Sequence, residues 1–220
     1  MGEEEKIVLE KDLQQDGELT LFEGKPFSGV CIGSYENGQK QFRISYKNGQ
    51  QHGLATGWYE NGKKLFENYW ENGIRNGPST EWYEHGKKED ECFYKDGKLE
   101  GISTDYHENG KKFSETNYKN GKREGLRIEW DDEDESKDEI HFKNDKLNGL
   151  NTSYYPSGKK RYEMCYKDRK IDGLYTEWYL NGKKKLEKHY KDGVEDGLWT
   201  EWSEDGKKTF QGNFVDGNEE

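Results

Sequence analysis

Apolar and polar residues alternate along this chain in short runs of about six residues, and glycine-containing turns separate the runs. In the run Gly53-Leu-Ala-Thr-Gly-Trp58, strand-forming side chains fall at every second residue. Alternation with a period of two is typical of a β-strand, because successive side chains point to opposite faces of a sheet. Asn-Gly and Asp-Gly pairs mark tight turns between the runs. The pattern predicts a string of β-hairpins, and no run has the length or spacing of a helix.

The turns recur at a fixed interval along the chain. Eight glycines begin successive repeats and lie 24 residues apart: Gly29, Gly53, Gly77, Gly101, Gly125, Gly149, Gly173 and Gly197. Self-similarity at a period of this size is the signature of a repeat protein. We therefore predict eight tandem 24-residue hairpin repeats over residues 29–220, preceded by an N-terminal cap and partial repeat over residues 1–28.

The turn residues also predict the register of each hairpin. A three-residue loop such as Glu60-Asn61-Gly62, with its glycine in the left-handed conformation, would pair Tyr59 with Lys63. That pairing places repeat positions 2, 4, 6, 14 and 18 on one face, counted from the first glycine. Arg169 stands where most repeats have a turn glycine, and we expect it to cost stability or to mark a different turn.

Two repeat positions hold about half of the large rings. Position 6 supplies Trp58, Trp82, Tyr106, Trp130, Tyr154, Trp178 and Trp202, and position 18 supplies Tyr46, Trp70, Tyr94, Tyr118, Phe142, Tyr166, Tyr190 and Phe214. The expected fold class is all-β: an elongated, single-layer, twisted antiparallel sheet of tandem hairpins, coiled into a solenoid.

Composition agrees with a thin structure and excludes one thick core. Only 29% of the 220 residues are hydrophobic, against about 45% in ordinary domains, yet 14% are aromatic. Disordered chains are also poor in apolar residues, but they lack aromatic residues. The rings therefore supply most of the buried surface.

Motifs for catalysis, cofactors or metals are absent from the sequence, so no enzyme activity and no cofactor are predicted. The five histidines are scattered over four repeat positions, as expected of variable surface sites: His52, His85, His107, and the pair His141 and His189, which share one position. Three distant cysteines, Cys31, Cys92 and Cys165, suit a reducing compartment. A cytoplasmic location is expected, and a secretion signal trimmed from the native chain is the alternative.

The acidic balance points to a basic partner and disfavours nucleic acid. Asp and Glu number 46 against 35 Lys and Arg, for a net charge of −11. An acidic run replaces the turn of the fifth repeat: Asp131, Asp132, Glu133, Asp134 and Glu135. A solvated, deformed turn and a docking point for a basic partner both fit this run. Calcium is disfavoured because the glycine of the bend is missing.

The aromatic rows admit two interpretations. They are either the protein's own minimal core or an open surface for a partner or a second copy, so monomer and homodimer both remain open. The candidate residues are Trp58, Trp82, Trp130, Trp178 and Trp202. Lysine pairs such as Lys63-Lys64 follow most hairpin turns. They either cover the tryptophans with their alkyl stems or form a ladder for an anionic polymer or lipid head groups.

The recurring pattern Y-E-N-G-K-K-x-x-E-x-x-Y-K-N-G-K-x-x-G-L-x-T-x-W resembles the bacterial MORN-repeat variant. It stands at Tyr59 to Lys64 and, with Ile128 in place of the threonine, at Asn109 to Trp130. The repeats are similar to those of the YwqK family of proposed antitoxins. The resemblance implies a non-catalytic protein-binding protein that neutralises a partner toxin. The alternative that it implies is a structural scaffold or membrane-proximal tether.

Overall fold

The computed structural model describes residues 6–133 and 135–220, and within these ranges the protein is nearly all-β. A single 3-10 turn, Glu10–Asp12, interrupts the strands described. The expected fold class is confirmed, because antiparallel hairpins follow one another along the chain. No helix in the described ranges is long and apolar enough to cross a lipid bilayer. The chain forms two compact halves, which meet in the sequence between Lys111 and Lys112.

The first half contains twelve strands. They are β1 (Ile7–Leu9), β2 (Leu13–Asp16), β3 (Leu19–Phe22), β4 (Lys25–Pro26), β5 (Gly29–Ser34), β6 (Lys40–Lys47), β7 (Gln50–Trp58), β8 (Lys64–Glu71), β9 (Ile74–Trp82), β10 (Lys88–Lys95), β11 (Lys98–Leu99) and β12 (Gly101–Tyr106). Strands β5 to β10 pair antiparallel in chain order, followed by β12, while β1 pairs parallel to β5. Strands β2 to β4 form a separate small antiparallel sheet.

The second half continues the antiparallel hairpins with eleven strands. They are β13 (Lys112–Lys119), β14 (Lys122–Trp130), β15 (Lys137–Lys143), β16 (Lys146–Leu147), β17 (Gly149–Tyr154), β18 (Lys160–Lys167), β19 (Lys170–Trp178), β20 (Lys184–Lys191), β21 (Val194–Trp202), β22 (Lys208–Val215) and β23 (Asn218–Glu219). Each pairs antiparallel with the next, except that the short β16 and β17 both pair with β15.

Two kinds of turn alternate along the chain. The predicted three-residue loops are confirmed: Tyr59 N–H donates to Lys63 O at 2.8 Å and Gly62 N–H donates to Tyr59 O at 2.9 Å. Gly62 has φ +83°, as this loop requires. The other turn has two residues, as at Asn48-Gly49, where φ is +52° and +81°. Positive φ at both positions defines the type I′ turn, which Asn-Gly favours.

The predicted register is wrong beyond the loop. Trp58 pairs with Lys64, but Gly57 then pairs with Phe66, so Leu65 is an extra residue in β8. This extra residue, which follows the irregular three-residue loop, shifts the alternation of side chains in β8 by one residue. Repeat positions 14 and 18 therefore lie on the face opposite to positions 2, 4 and 6. The same shift recurs in five further hairpins, which begin at Gly29, Gly77, Gly149, Gly173 and Gly197.

The fifth repeat reaches the same register by a different route. Trp130 pairs with Lys137 and Glu129 with Asp138, with no shift between them. Its loop is correspondingly longer, and Asp131 N–H donates to Ser136 O at 3.0 Å. The extra residue that other repeats place in the strand is here part of the loop.

The apolar core of the described residues lies at the N-terminal end of the first half. Val8, Phe27 and Cys31 are buried together, and four partly buried side chains pack on them: Leu13, Phe22, Phe42 and Tyr46. The small sheet β2–β4 thereby covers one side of β5 and β6. Elsewhere in the described sheet the buried side chains are mostly small, such as Ala55, Ser114 and Thr116, and most large side chains stay partly exposed.

Arg169 adopts the same turn as the glycines it replaces. Asp168 and Arg169 have φ +49° and +75°, and Arg169 N–H donates to Leu147 O at 2.9 Å. The equivalent bond in the next repeat runs from Gly193 N–H to Ile171 O at 2.8 Å. The turn keeps its shape, so Arg169 adopts a left-handed backbone conformation, which is less favourable for arginine than for glycine.

We expect Arg169→Gly to stabilise the protein by about 1 kcal/mol, because glycine adopts positive φ without a Cβ penalty. Urea denaturation followed by circular dichroism measures the change. The matched control is Gly193→Arg, which should destabilise the protein by a similar amount. A loss of stability in Arg169→Gly would contradict this prediction.

Candidate partner-binding surface

The observed register gives each hairpin two faces of different character. The front face carries repeat positions 2, 4, 6, 15 and 17, which in the second repeat are Leu54, Thr56, Trp58, Glu67 and Tyr69. The back face carries positions 3, 5, 14, 16 and 18, which are Ala55, Gly57, Phe66, Asn68 and Trp70. Front-face positions 2, 4, 6 and 15 vary little between repeats, whereas back-face positions 3, 14 and 16 and front-face position 17 vary widely. Back-face position 5 is glutamate in four of the eight repeats.

The tryptophans proposed from the sequence lie on the front face and are half-buried under lysines. Lysine ammonium groups lie 5.4 to 6.0 Å from the ring centroids in the pairs Lys40–Trp58, Lys64–Trp82, Lys112–Trp130, Lys160–Trp178 and Lys184–Trp202. These distances are those of cation–π contacts. Most of the same lysines also pair with a glutamate three residues later, as in Lys64–Glu67 at 2.6 Å. The front face is thus a repeated Lys–Glu–Trp layer.

Hydrogen bonds between successive repeats run along the loop edge. Tyr59 Oη donates to Trp82 O at 2.7 Å, and Tyr179 Oη donates to Trp202 O at 2.8 Å. The first lysine of each pair binds the next loop, as where Lys63 Nζ donates to His85 O at 2.6 Å. The lysine pairs therefore hold successive repeats together through their own contacts.

An exposed apolar row crosses the front face of the first half. Tyr69, Phe93 and Ile102 keep 42%, 45% and 57% of their surface exposed. Phe93 pairs with Pro78 on the neighbouring strand. These residues occupy repeat positions 2 and 17, which the paired strands bring side by side.

The acidic run lies in the long loop of the fifth repeat. Asp131, Glu133 and Glu135 are exposed and Asp132 is half-exposed, while Asp134 lies outside the described residues. Glu133 N–H donates to Asp131 Oδ1 at 2.9 Å. Among the residues described, no group of three or more His, Cys, Asp or Glu side chains is arranged to hold a metal ion. The loop presents carboxylates to solvent, and Trp130 lies at its base, paired with Lys137.

The back face of the first half contains a groove that the sequence analysis missed. A cavity of about 650 Å3 lies between the small N-terminal sheet and β8, lined by Gln15, Glu18, Tyr46, Gln51 and Trp70. A second cavity of about 270 Å3 continues from Gln51 and Trp70 to Ile44, Phe66 and Glu81. We call these two joined cavities the back-face groove.

Three carboxylates lie side by side at the end of this groove. Asp90 pairs with Glu81 on β9 and with Asp105 on β12, so the three side chains point to the same face of adjacent strands. Burial, with the charges of Glu81 and Asp105, raises the pKa of Asp90 to about 6. Burial and the nearby Asp90 also raise the pKa of Cys92 to about 12, so this thiol is a poor nucleophile at neutral pH.

The back face of the second half carries aromatic contacts. Trp199 packs against Phe210 and Phe214, with ring centroids 5.4 and 5.0 Å apart, and Lys188 Nζ lies 3.5 Å from its centroid. Tyr162 stacks on Tyr175 at 6.3 Å. These contacts confirm that positions 3, 14 and 18 share one face.

Comparison with known proteins gives one family. The family described as MORN repeat variant matches seven segments of the chain, well over half of its length: 28–48, 51–72, 75–96, 99–120, 147–168, 171–192 and 195–216. The unmatched stretch between residues 120 and 147 contains the acidic loop. No curated protein sequence matches the chain significantly.

Proposed function

This chain belongs to the MORN repeat variant family, and from that premise we propose that it is a non-catalytic protein-binding protein. Repeats of this family often bind protein partners or membranes and are generally non-catalytic. The specific role that we propose is that of a cytoplasmic antitoxin or immunity protein, which neutralises a basic toxin by binding it.

One observation carries this proposal: large apolar side chains remain open on a single-layer sheet. Tyr69, Phe93 and Ile102 form such a row, and exposed apolar patches of this kind favour interaction with a partner. The net charge of −11 supports a basic partner, since complementary charge accelerates association. The accessible carboxylates of Asp131, Glu133 and Glu135 remain a candidate contact.

Co-expression with the products of adjacent genes tests the proposal. We expect one of these products to be toxic alone, to lose its toxicity in the presence of this chain, and to co-purify with it. The absence of rescue for every neighbour would contradict the antitoxin role. Size-exclusion chromatography with light scattering would show whether the free protein is a monomer or a homodimer.

A membrane-proximal tether is the second candidate, and the exposed row of Tyr69, Phe93 and Ile102 favours it. The lysine pairs weigh against it, because they already contact tryptophan rings, glutamates and backbone carbonyls. Sedimentation with vesicles of anionic lipid separates the candidates. Salt-sensitive binding to these vesicles would favour the tether.

A further inference from the structure

The back-face groove of the first half combines an apolar wall with an acidic end. Its apolar part is formed by Ile44, Ala55, Phe66 and Trp70. The phenyl ring of Phe66 lies so close to Gly57 that a Cβ at residue 57 would overlap it. The glycine therefore lets the ring lie against the sheet and keeps the groove open above it.

The acidic end begins where the apolar wall stops. Phe66 pairs directly with Glu81, which pairs in turn with Asp90. Adjacent strands are about 4.8 Å apart, so Asp90 lies roughly 10 Å from Phe66 across the sheet. Gly33 pairs with Phe42 and Ser153 with Tyr162 at these positions in other repeats. The fifth repeat also pairs Glu129 with Asp138, but the next strand places Ser153 opposite Asp138 in place of a third carboxylate.

We propose that the back-face groove binds an extended segment of the protein partner, with an apolar side chain against Phe66 and Trp70 and a lysine or arginine against Glu81, Asp90 and Asp105. This inference rests on the proposed function, because it assigns the surface on which the partner is bound. In an extended segment, alternate side chains point to the same side about 7 Å apart, which suits the spacing of the groove.

Charge complementarity favours a cation at this place. Like charges directly opposite each other on neighbouring strands are unfavourable, and a bound cation would relieve that repulsion. The raised pKa of Asp90 is a consequence of the same arrangement.

The other charged and titratable groups near Asp90 leave the end of the groove acidic. Arg75 is close, but its guanidinium stacks at 5.6 Å from the Trp70 centroid and 5.2 Å from the Tyr94 centroid. Its Nη1 also donates to Tyr94 Oη at 3.4 Å. The burial that raises the pKa values of Cys92 and Tyr94 leaves both side chains neutral at pH 7. Arg75 also lines the second cavity of the groove and offsets part of this negative charge.

Fluorescence polarisation with the full chain tests the proposal directly. The probe is a fluorescein-labelled peptide, Gly-Leu-Ser-Lys-Ser-Lys-Gly, in which leucine and both lysines point to one side when extended. We expect it to bind, and we expect peptides with glutamate for lysine or with serine for leucine to bind at least about tenfold more weakly.

The decisive variant is Glu81→Gln with Asp90→Asn and Asp105→Asn, which removes three charges but keeps the side-chain shapes. We expect it to weaken binding of the probe by about tenfold or more. The matched control is Asp192→Asn with Glu204→Gln and Asp216→Asn, three exposed carboxylates of the second half, which changes the net charge equally and should alter the affinity less than about twofold. Circular dichroism would verify that both variants are folded.

A second readout separates docking at the groove from general attraction of positive charge. Calorimetry at pH 6 in buffers of different ionisation enthalpy should detect release of a proton, because a cation lowers the pKa of Asp90. Equal losses in both triple variants, no loss in the groove variant, or no binding of the probe at millimolar concentration would overturn the proposal. Rescue from toxicity by the groove variant would overturn the assignment of the groove and leave the antitoxin role intact. Absence of rescue by the unmodified chain would instead contradict the antitoxin role.

Discussion

Gly29→Ala is expected to destabilise the first half by about 3 kcal/mol. Gly29 has φ +148°, and a Cβ there would overlap the carbonyl oxygen of Lys6 and lie 2.9 Å from Cζ of Phe27. That carbonyl accepts a hydrogen bond from Val30 N–H at 2.8 Å. Backbone atoms cannot move aside as a flexible side chain can, so the substitution should separate β1 from β5. Urea denaturation and hydrogen exchange at Val30 would measure the two effects.

Gly101→Ala is the matched control for this experiment. Gly101 occupies the same repeat position with φ +80°, but a Cβ there would meet no atom within 4 Å. Gly101→Ala should therefore lower the stability only by the strain of alanine at positive φ, about 1 kcal/mol. Equal losses in the two variants would show that the contact between β1 and the first repeat contributes little.

The repeat and its loops could be predicted because local chemistry determines them. The 24-residue glycine spacing and the Asn-Gly pairs specify turns through the backbone conformations that only glycine, asparagine and aspartate adopt easily. The three-residue loop at Glu60-Asn61-Gly62 follows from the same rule and is present. Arg169 shows the limit of that rule, because hydrogen bonding to Leu147 holds the arginine in the glycine conformation.

The assignment of side chains to faces could not be predicted, because two irregularities follow each other within a few residues. The first irregularity, the three-residue loop, is predicted by its glycine, Gly62. The second is the extra residue Leu65, an ordinary strand residue with no sequence signature of a bulge. One missed residue moves Phe66 and Trp70 to the opposite face. The fifth repeat shows that register is the conserved quantity here, since its longer loop removes the bulge and still pairs Glu129 with Asp138.

The groove was missed for the same reason. Glu81, Asp90 and Asp105 are separated by 9 and 15 residues, and only the observed pairing makes them neighbours. One signal was present in the sequence: the back-face position of Phe66 and Asp90 varies between repeats, while Thr56, Trp58 and their equivalents recur. Positions that vary among repeats of one framework are free to serve a particular partner, whereas constant positions maintain the stack.

Asp90→Asn is expected to stabilise the protein at pH 8 and to have little effect at pH 3. The pKa of Asp90 rises from 3.8 to about 6, first through burial and then through the charges of Glu81 and Asp105. At pH 3, below both pKa values, the carboxyl is largely protonated in both the folded and the unfolded chain. Between pH 4 and 6 the unfolded chain loses the proton first, so stability falls as pH rises, and above pH 6 the full cost remains.

Two pH units correspond to roughly 3 kcal/mol at most, and we expect about 1–2 kcal/mol because the side chain is only partly buried and water screens the repulsion. The free energy of unfolding of both proteins at pH 3, 6 and 8 measures this difference, with Asp132→Asn in the exposed loop as the control for loss of one negative charge. A carbon-13 titration of the Asp90 carboxyl in Glu81→Gln should show its pKa falling but staying above 3.8, because burial is the larger cause. An equal gain in stability from Asp132→Asn, or a gain independent of pH, would show that the net charge of the chain lowers the stability, and not the position of Asp90. The main argument that the groove binds a cation would then be lost.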